Sequence, residues 1–287
     1  MPVLPYLFAA PALVFLALLL GYPLISTVVY SFYSYDIIST TRTFVGFDNF
    51  LQLLRDPVAH IAAKNAVLFL VISVIVQIPI GLVLAALLDR GVGRTASTVF
   101  RTIIFAPMVL SIVAVGLLWQ LILDPFAGFA NFLVKALGMT PPTAGWLGDP
   151  VITIYVIMFI AFWQYIGFCT ILLLAGAQRI DGSLYEAATL DGASEVQSFL
   201  FITVPLLRNT IVVVSLLSMI GALRVFDFVY VLTAGGPGDA TQVPATMIYK
   251  EAFFLGHMGY ANAISVLLLF VTVCLGFLQL RYSRQVS

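Results

Sequence analysis

Three observations predict an all-α membrane protein with six transmembrane helices. The 287 residues are 62% hydrophobic and only 9% charged, whereas a soluble domain carries roughly 25% charged residues. The apolar residues gather into six blocks, at 7–30, 66–88, 99–123, 151–175, 203–228 and 261–280. Each holds about 20 residues or more, enough to cross roughly 30 Å of hydrocarbon as a helix. Within each block the apolar run is continuous rather than alternating, which selects helices over a barrel. The lipid bilayer is therefore the solvent for most of the chain, and 1–287 reads as a single transmembrane domain.

The first block lacks a basic n-region and a small-residue cleavage site, and it exceeds a signal-peptide core in length, so it reads as a retained helix. Pro11 and Pro23 fall in it, Pro79 in the second block and Pro107 in the third. A missing N–H kinks a helix and frees carbonyls, which suits helices that shape a cavity and move. Beyond the third block, Phe129, Phe132, Leu133 and Leu137 recur at helical spacing within 126–137 and predict a short interfacial helix. The fourth block carries Trp163, Gln164, Tyr165 and Phe168, which combine aromatic faces with one amide. On the fifth, Ser218, Ala222 and Phe226 share one helix face. Arg224 and Asp227 are i, i+3 neighbours late in that block and are expected to neutralise each other as a structural ion pair.

Between the fourth and fifth blocks, residues 176–202 form a polar, acid-bearing loop. Ser183-x-x-Glu186 and Ser194-x-x-Gln197 both fit the capping-box pattern. Two short helices are expected to meet at Gly192, the left-handed terminator of the first. Pro205 falls in the first turn of the fifth block, where a missing N–H costs little.

Formal net charge is zero, with no nucleic-acid footprint. Cys169 and Cys274 lie in apolar blocks as small buried hydrophobes without a disulfide. His60 and His257 show no metal-ligand spacing and are expected to be solvated or locally bonded. No G-x-x-x-x-G-K-[ST] occurs, so no cofactor is expected here and any driving ATP must be bound by another chain. With both termini cytoplasmic, Arg90, Arg94, Arg101, Arg179, Arg208, Arg281 and Arg284 lie inside. Arg42, Arg55, Lys64, Lys135 and Lys250 lie outside, a bias of seven to five.

Tyr185-Glu186-Ala187-Ala188-Thr189-Leu190-Asp191-Gly192, followed by Ile202-Thr203-Val204-Pro205, resembles the EAA loop of bacterial ABC importer permeases. Val204 stands where that family usually has Leu, and Asp181-Gly182-Ser183 where it usually carries a Pro and charged residues. Phe226-Asp227, with Leu232-Thr233-Ala234-Gly235-Gly236-Pro237, resembles the signature of the carbohydrate-type permeases. Thr241, Tyr249, Ala252-Phe253, Gly259-Tyr260-Ala261 and Ala263 continue it. Phe44-Val45-Gly46-Phe47-Asp48-Asn49-Phe50 matches the family's loop after the first span, and Phe100-Arg101-Thr102 with Pro107 its third-helix entry.

The chain thus resembles, over nearly its whole length, a maltose/glycerol-3-phosphate-like, binding-protein-dependent ABC transporter permease subunit. The resemblance implies the type I ABC importer permease fold in a bacterial or archaeal cytoplasmic membrane. It implies ATPase coupling through Tyr185, Glu186, Ala187, Ala188, Leu190, Asp191, Gly192 and Pro205. The implied partners are a second homologous permease, a cytoplasmic ABC ATPase dimer that binds the ATP, and an external solute-binding protein. A sugar-like solute would bind among Trp163, Gln164, Tyr165, Phe168, Ser218, Ala222 and Phe226, because sugar rings stack on aromatics while hydroxyls need placed polar groups. Mono-, di- or oligosaccharide, polyol and glycerol phosphate all remain open. An ion-coupled secondary transporter is the alternative, but it wants acids deep in several spans, where only Asp227 comes close. A membrane-embedded enzyme wants a convergent nucleophile, base or metal set, which the sequence does not supply. A channel leaves the loop unexplained.

Overall fold

The computed structural model describes residues 3–36, 41–91 and 93–286; the side chains of Arg94 and Arg284, assigned above to inside loops, are not among those described. In chain order the described elements are α1 (Phe8–Tyr30), β1 (Tyr33–Ser34), β2 (Thr43–Phe44), α2 (Asp48–Arg55), α3 (Pro57–Arg90), α4 (Arg94–Val109) and α5 (Ile112–Ile122). They continue as α6 (Phe129–Ala136), α7 (Thr153–Ala177), α8 (Gly182–Leu190), α9 (Glu195–Leu206), α10 (Arg208–Leu223), α11 (Asp227–Thr233), α12 (Pro244–Tyr249) and α13 (Met258–Val286). Among the described residues, five helices are long and apolar enough to cross a membrane, or six if a bent pair counts as one span. By contact clustering the chain forms two compact units, Met1–His60 with Pro244–Val271, and Ile61–Val243 with Thr272–Ser287.

In the first unit, the motif at residues 44–50 does structural work. Tyr33 pairs with Phe44 in an antiparallel hairpin. The buried Asn49 donates to the carbonyls of Ser31 at 2.8 Å and Tyr33 at 3.1 Å, tying α2 to the strand. Phe32, Phe47 and Phe50 close over it as an aromatic cluster. From α13, the Tyr260 hydroxyl donates to Asp56 at 2.7 Å and Asn262 donates to the Tyr35 hydroxyl at 3.0 Å.

In the second unit, α7 is the central element. Half of its most apolar window is buried, against none of that of α1. One end of α7 packs with Phe69, Val115, Phe228 and Val229 through Ile154, Ile157 and Met158. The other end packs with Ile78, Leu82, Leu207 and Val214 through Cys169, Leu173 and Ala177. Gly167 lets α4 approach: a Cβ there would strike the Ile104 carbonyl. Close approach at small residues is how helices associate where lipid removes the hydrophobic drive between them. The Gly-Gly-Pro-Gly turn is fastened through Thr241, whose hydroxyl lies 2.8 Å from that of Thr233 and donates to the Gly236 carbonyl at 2.6 Å. Asn65 on α3 donates to the carbonyls of Ala240 and Gln242 from the other side.

The prolines do not act as simple kinks. Pro23, Pro79 and Pro205 each follow a wide π-helical segment, at Ala17–Gly21, Ile72–Gln77 and Phe199–Thr203. In each case the carbonyl four residues earlier, on Leu19, Ile75 or Phe201, lies inside that segment. Proline removes the bond to that carbonyl and collides with it; widening the turn relieves the collision while the helix runs on. Pro107 is different. The third block, expected as one span over 99–123, is split instead into α4 and α5, bent by 97°. Leu110 and Ser111 are extended at the break, three residues after the proline.

Candidate functional site

Two features stand out in the second unit. The first is a largely apolar cavity of about 270 Å³ walled by the four helices α3, α4, α7 and α10 and by the turn into α11. Of the predicted pocket residues, Tyr165, Phe168, Ser218, Ala222 and Phe226 line it. Trp163 and Gln164 do not. Trp163 turns into the core, edge-on to Trp119 at 5.7 Å. Gln164 is 1% exposed and donates to the Leu110 carbonyl at 3.2 Å, satisfying a group freed by the helix break. Burial demands such a partner, and Pro107, three residues before the break, is the sequence feature that frees carbonyls in this block.

Arg224 and Asp227 also face the cavity, and the expected ion pair between them is not formed. Among the described residues neither has a salt-bridge partner within 4.0 Å. The reason is geometric: Arg224 closes α10 and Asp227 opens α11. Phe226 between them is non-helical at φ −136°, so the i, i+3 stacking of a continuous helix is lost.

The sequence reading placed no residue of the second block in the pocket. The structure adds Phe69, Ile72, Ser73 and Gln77 from α3 and Met108 from α4. Gln77 is 7% exposed, and its side-chain amide has no hydrogen-bond partner among the described residues. Ser73 and Gln77 are four apart in an otherwise apolar block, a signal that was readable. Both lie in the π segment Ile72–Gln77, the kind of wide turn that recurs at functional sites.

The second feature is the loop. Asp181, rather than Ser183, caps α8: its carboxylate accepts from the Ser183 N–H at 3.0 Å. The expected Ser183–Glu186 capping box is therefore displaced by a residue two positions earlier. That backbone bond, and then the Ser183 hydroxyl, hold the Asp181 carboxyl below its usual range. The Ser194–Gln197 box is complete, with reciprocal bonds of 2.7 and 3.3 Å. Gly192 sits at φ +81°. Its N–H reaches the Thr189 carbonyl at 3.1 Å, and the Ala193 N–H reaches that of Ala188 at 2.9 Å, a full Schellman terminus.

Tyr185 fastens this loop to the spans. It is 8% exposed and its hydroxyl lies 2.8 Å from that of the buried Thr203 on α9. Glu186, Ala187, Leu190, Asp191 and Gly192 are exposed, Ala188 is half-buried, and Pro205 is exposed at the start of a helical turn. Leu190 is 89% exposed, and Val196, Leu200 and Phe201 join it as bare apolar side chains.

The two histidines are locally bonded, His60 to the Leu54 carbonyl and His257 to Glu251, each at 2.9 Å. Cys169 is buried and free.

Comparison with known proteins gives this arrangement its family. The profile of the binding-protein-dependent transport system inner membrane component matches residues 77–287. A Bacillus subtilis protein named as the probable ABC transporter permease protein YurN is 40% identical over 282 residues, covering 98% of this chain and 96% of that one. The lactose transport system permease protein LacF of Rhizobium radiobacter is 35% identical over 283 residues, 98% and 94% of the two chains. The trehalose/maltose transport system permease protein MalF of Thermococcus litoralis is 33% identical over 282 residues, again 98% and 94%. A crystal structure of a bacterial ABC transporter importing the acidic polysaccharide alginate has the same fold, with TM-score 0.87 at 24% identity over 99% of this chain and 96% of that one. A chain with these spans, this loop and these relatives belongs to the binding-protein-dependent transport system inner membrane components, and is a multi-pass permease subunit of an ABC importer.

Proposed function

We propose that this permease carries a carbohydrate or a related polyol, driven by ATP that a separate ATPase subunit binds and hydrolyses. The observation that carries this reading is the exposed loop surface from Glu186 to Phe201. Helix α8, capped at both ends and pinned by Tyr185, presents Leu190 to solvent, and α9 after it presents Val196, Leu200 and Phe201, apolar side chains that call for a partner. The reading makes α8 the coupling helix, seated in a cleft of a cytoplasmic ATPase dimer, with both chain termini on that side. ATP closes the dimer, and α8 favours different positions in its open and closed states. That differential preference is all that coupling requires.

The cavity is the solute site in this reading. Tyr165, Phe168 and Phe226 offer ring faces, while Ser73, Gln77, Ser218, Arg224 and Asp227 offer hydrogen bonds. Its volume of about 270 Å³ falls below the roughly 300–1,000 Å³ of complete small-molecule sites, which fits a pocket completed by a second homologous permease. The sugar names carried by LacF and MalF support the solute class. An external solute-binding protein would deliver it.

The test is co-purification with the candidate ATPase and sister permease, comparing wild type with Gly192→Asp and Glu186→Lys, followed by ATP-driven uptake of labelled sugars. Association that the variants weaken supports the coupling reading. A wild type that captures no ATPase overturns it.

A further inference from the structure

The end of α3 reaches the loop through a contact that no motif announces. Helix α3 closes in a π segment, Leu87–Gly91. Arg90, in that segment, lays its guanidinium carbon 3.0 Å from the centroid of the Tyr185 ring. The Asp89 carboxylate lies 3.4 Å from Arg90 Nε and steers the guanidinium. Just before it, the Leu88 carbonyl accepts from the Ser97 hydroxyl at 2.6 Å, and Arg101 Nε donates to that same hydroxyl at 3.0 Å. With the Gln178 amide turned so that its oxygen faces Arg101, the guanidinium donates to it at 3.0 and 3.2 Å. The end of α3 is therefore tied to α4, and Arg90 projects from it onto Tyr185.

We propose that Arg90 is a positioning residue for the loop: its guanidinium clamps the Tyr185 ring so that a displacement of α8 is passed to α3. Tyr185 is held from two sides. Its hydroxyl meets Thr203 on α9, and its ring face meets Arg90 on α3. A cation over an aromatic face is attractive and directional, and the planar guanidinium stacks where an ammonium does not. The helix that receives the push is the one bearing Ser73 and Gln77 in the cavity wall. The clamp thus gives a physical route from loop to cavity through one continuous helix, α3. This inference rests on the coupling reading above.

The test is hydrogen exchange on the assembled importer, with and without ATP, magnesium and vanadate, read at residues 182–203 and at residues 69–77 of the cavity wall on α3. In wild type, nucleotide trapping is expected to change protection in both places. Arg90→Gln should speed exchange of the α8 amides by about tenfold and abolish the nucleotide-dependent change at 69–77, while Arg90→Lys retains part of it. Because Tyr185→Leu already removes the ring that Arg90 holds, adding Arg90→Gln to it should do no more than Tyr185→Leu alone, the signature of a shared contact. A general loss of stability would raise exchange everywhere and leave the two substitutions additive, which overturns the proposal. So does an Arg90→Gln complex whose cavity wall still responds to nucleotide in full. A wild-type complex with no nucleotide response at all overturns both this inference and the coupling reading beneath it.

Discussion

The loop and the cavity both belong to one compact unit, yet they are built on opposite principles. The loop is local: Asp181 caps through a residue two positions on, Ser194 through one three positions on, and Gly192 closes α8 with bonds inside a single turn. The cavity is the reverse. Its wall draws on Phe69, Met108, Tyr165 and Phe228, brought together only because four helices pack. Local chemistry can be read from spacing, whereas a wall assembled from distant segments depends on where every helix bends.

The sharpest way to break the comparison is Gly167→Val, which drives a branched Cβ into the Ile104 carbonyl. Backbone cannot yield as a flexible side chain can, and overpacking of this kind costs about 3 kcal/mol or more. A thermal melt of the detergent-solubilised protein should show the whole second unit weakened, with the cavity lost. Gly192→Val should do the opposite. Its Cβ would meet nothing, so the penalty is the left-handed backbone alone, about 1–2 kcal/mol. The melt should barely move while ATPase capture falls sharply; an equal loss in both assays would show that loop and core are not separable.

Gln77→Leu sharpens the cavity side. Replacing one solute hydrogen bond by a methyl pair should raise the KM of uptake by about two- to tenfold, the kinetic equivalent of roughly 0.5–1.5 kcal/mol. An unchanged KM would remove α3 from the solute site. The smallest effect is at Asp181. Its folded-state pKa is lowered, so the cap is fully present above the ordinary carboxyl value of 3.8 and is lost as pH falls through the lower folded value. Protection of the Ser183 amide, relative to its intrinsic exchange rate, should hold down to about pH 4 and fall only below it, and Asp181→Asn should flatten that profile.

Much of this could be read in advance, for physical reasons. The spans follow from hydrophobicity, Gly192 and the Ser194–Gln197 box from capping rules, and the loop motif from its spacing. Trp163 and Gln164, expected in the pocket as part of a set of aromatics with one amide, lie outside its lining, and the Gln164 amide is taken by the Leu110 carbonyl at the break in the neighbouring block. Arg224 and Asp227, expected to pair as i, i+3 neighbours on one helix, are parted by the break at Val225–Phe226. Composition records that a block is apolar but not where its ladder breaks.

The wide turns ahead of Pro23, Pro79 and Pro205 carry a consequence for how such a chain can change. A π turn holds one residue more than the α ladder needs, so it is a place where a one-residue deletion can be absorbed without destroying the helix. Deleting a residue within Ile72–Gln77 would close that turn to α geometry and leave the two flanks in their present relative orientation. The same deletion in an unbroken α stretch would rotate one flank against the other by about 100°. A single indel at the wide turn therefore keeps the inward-facing set of α3, whereas one placed beyond it would exchange that set for its neighbours while the span and its hydrophobicity stay as they are.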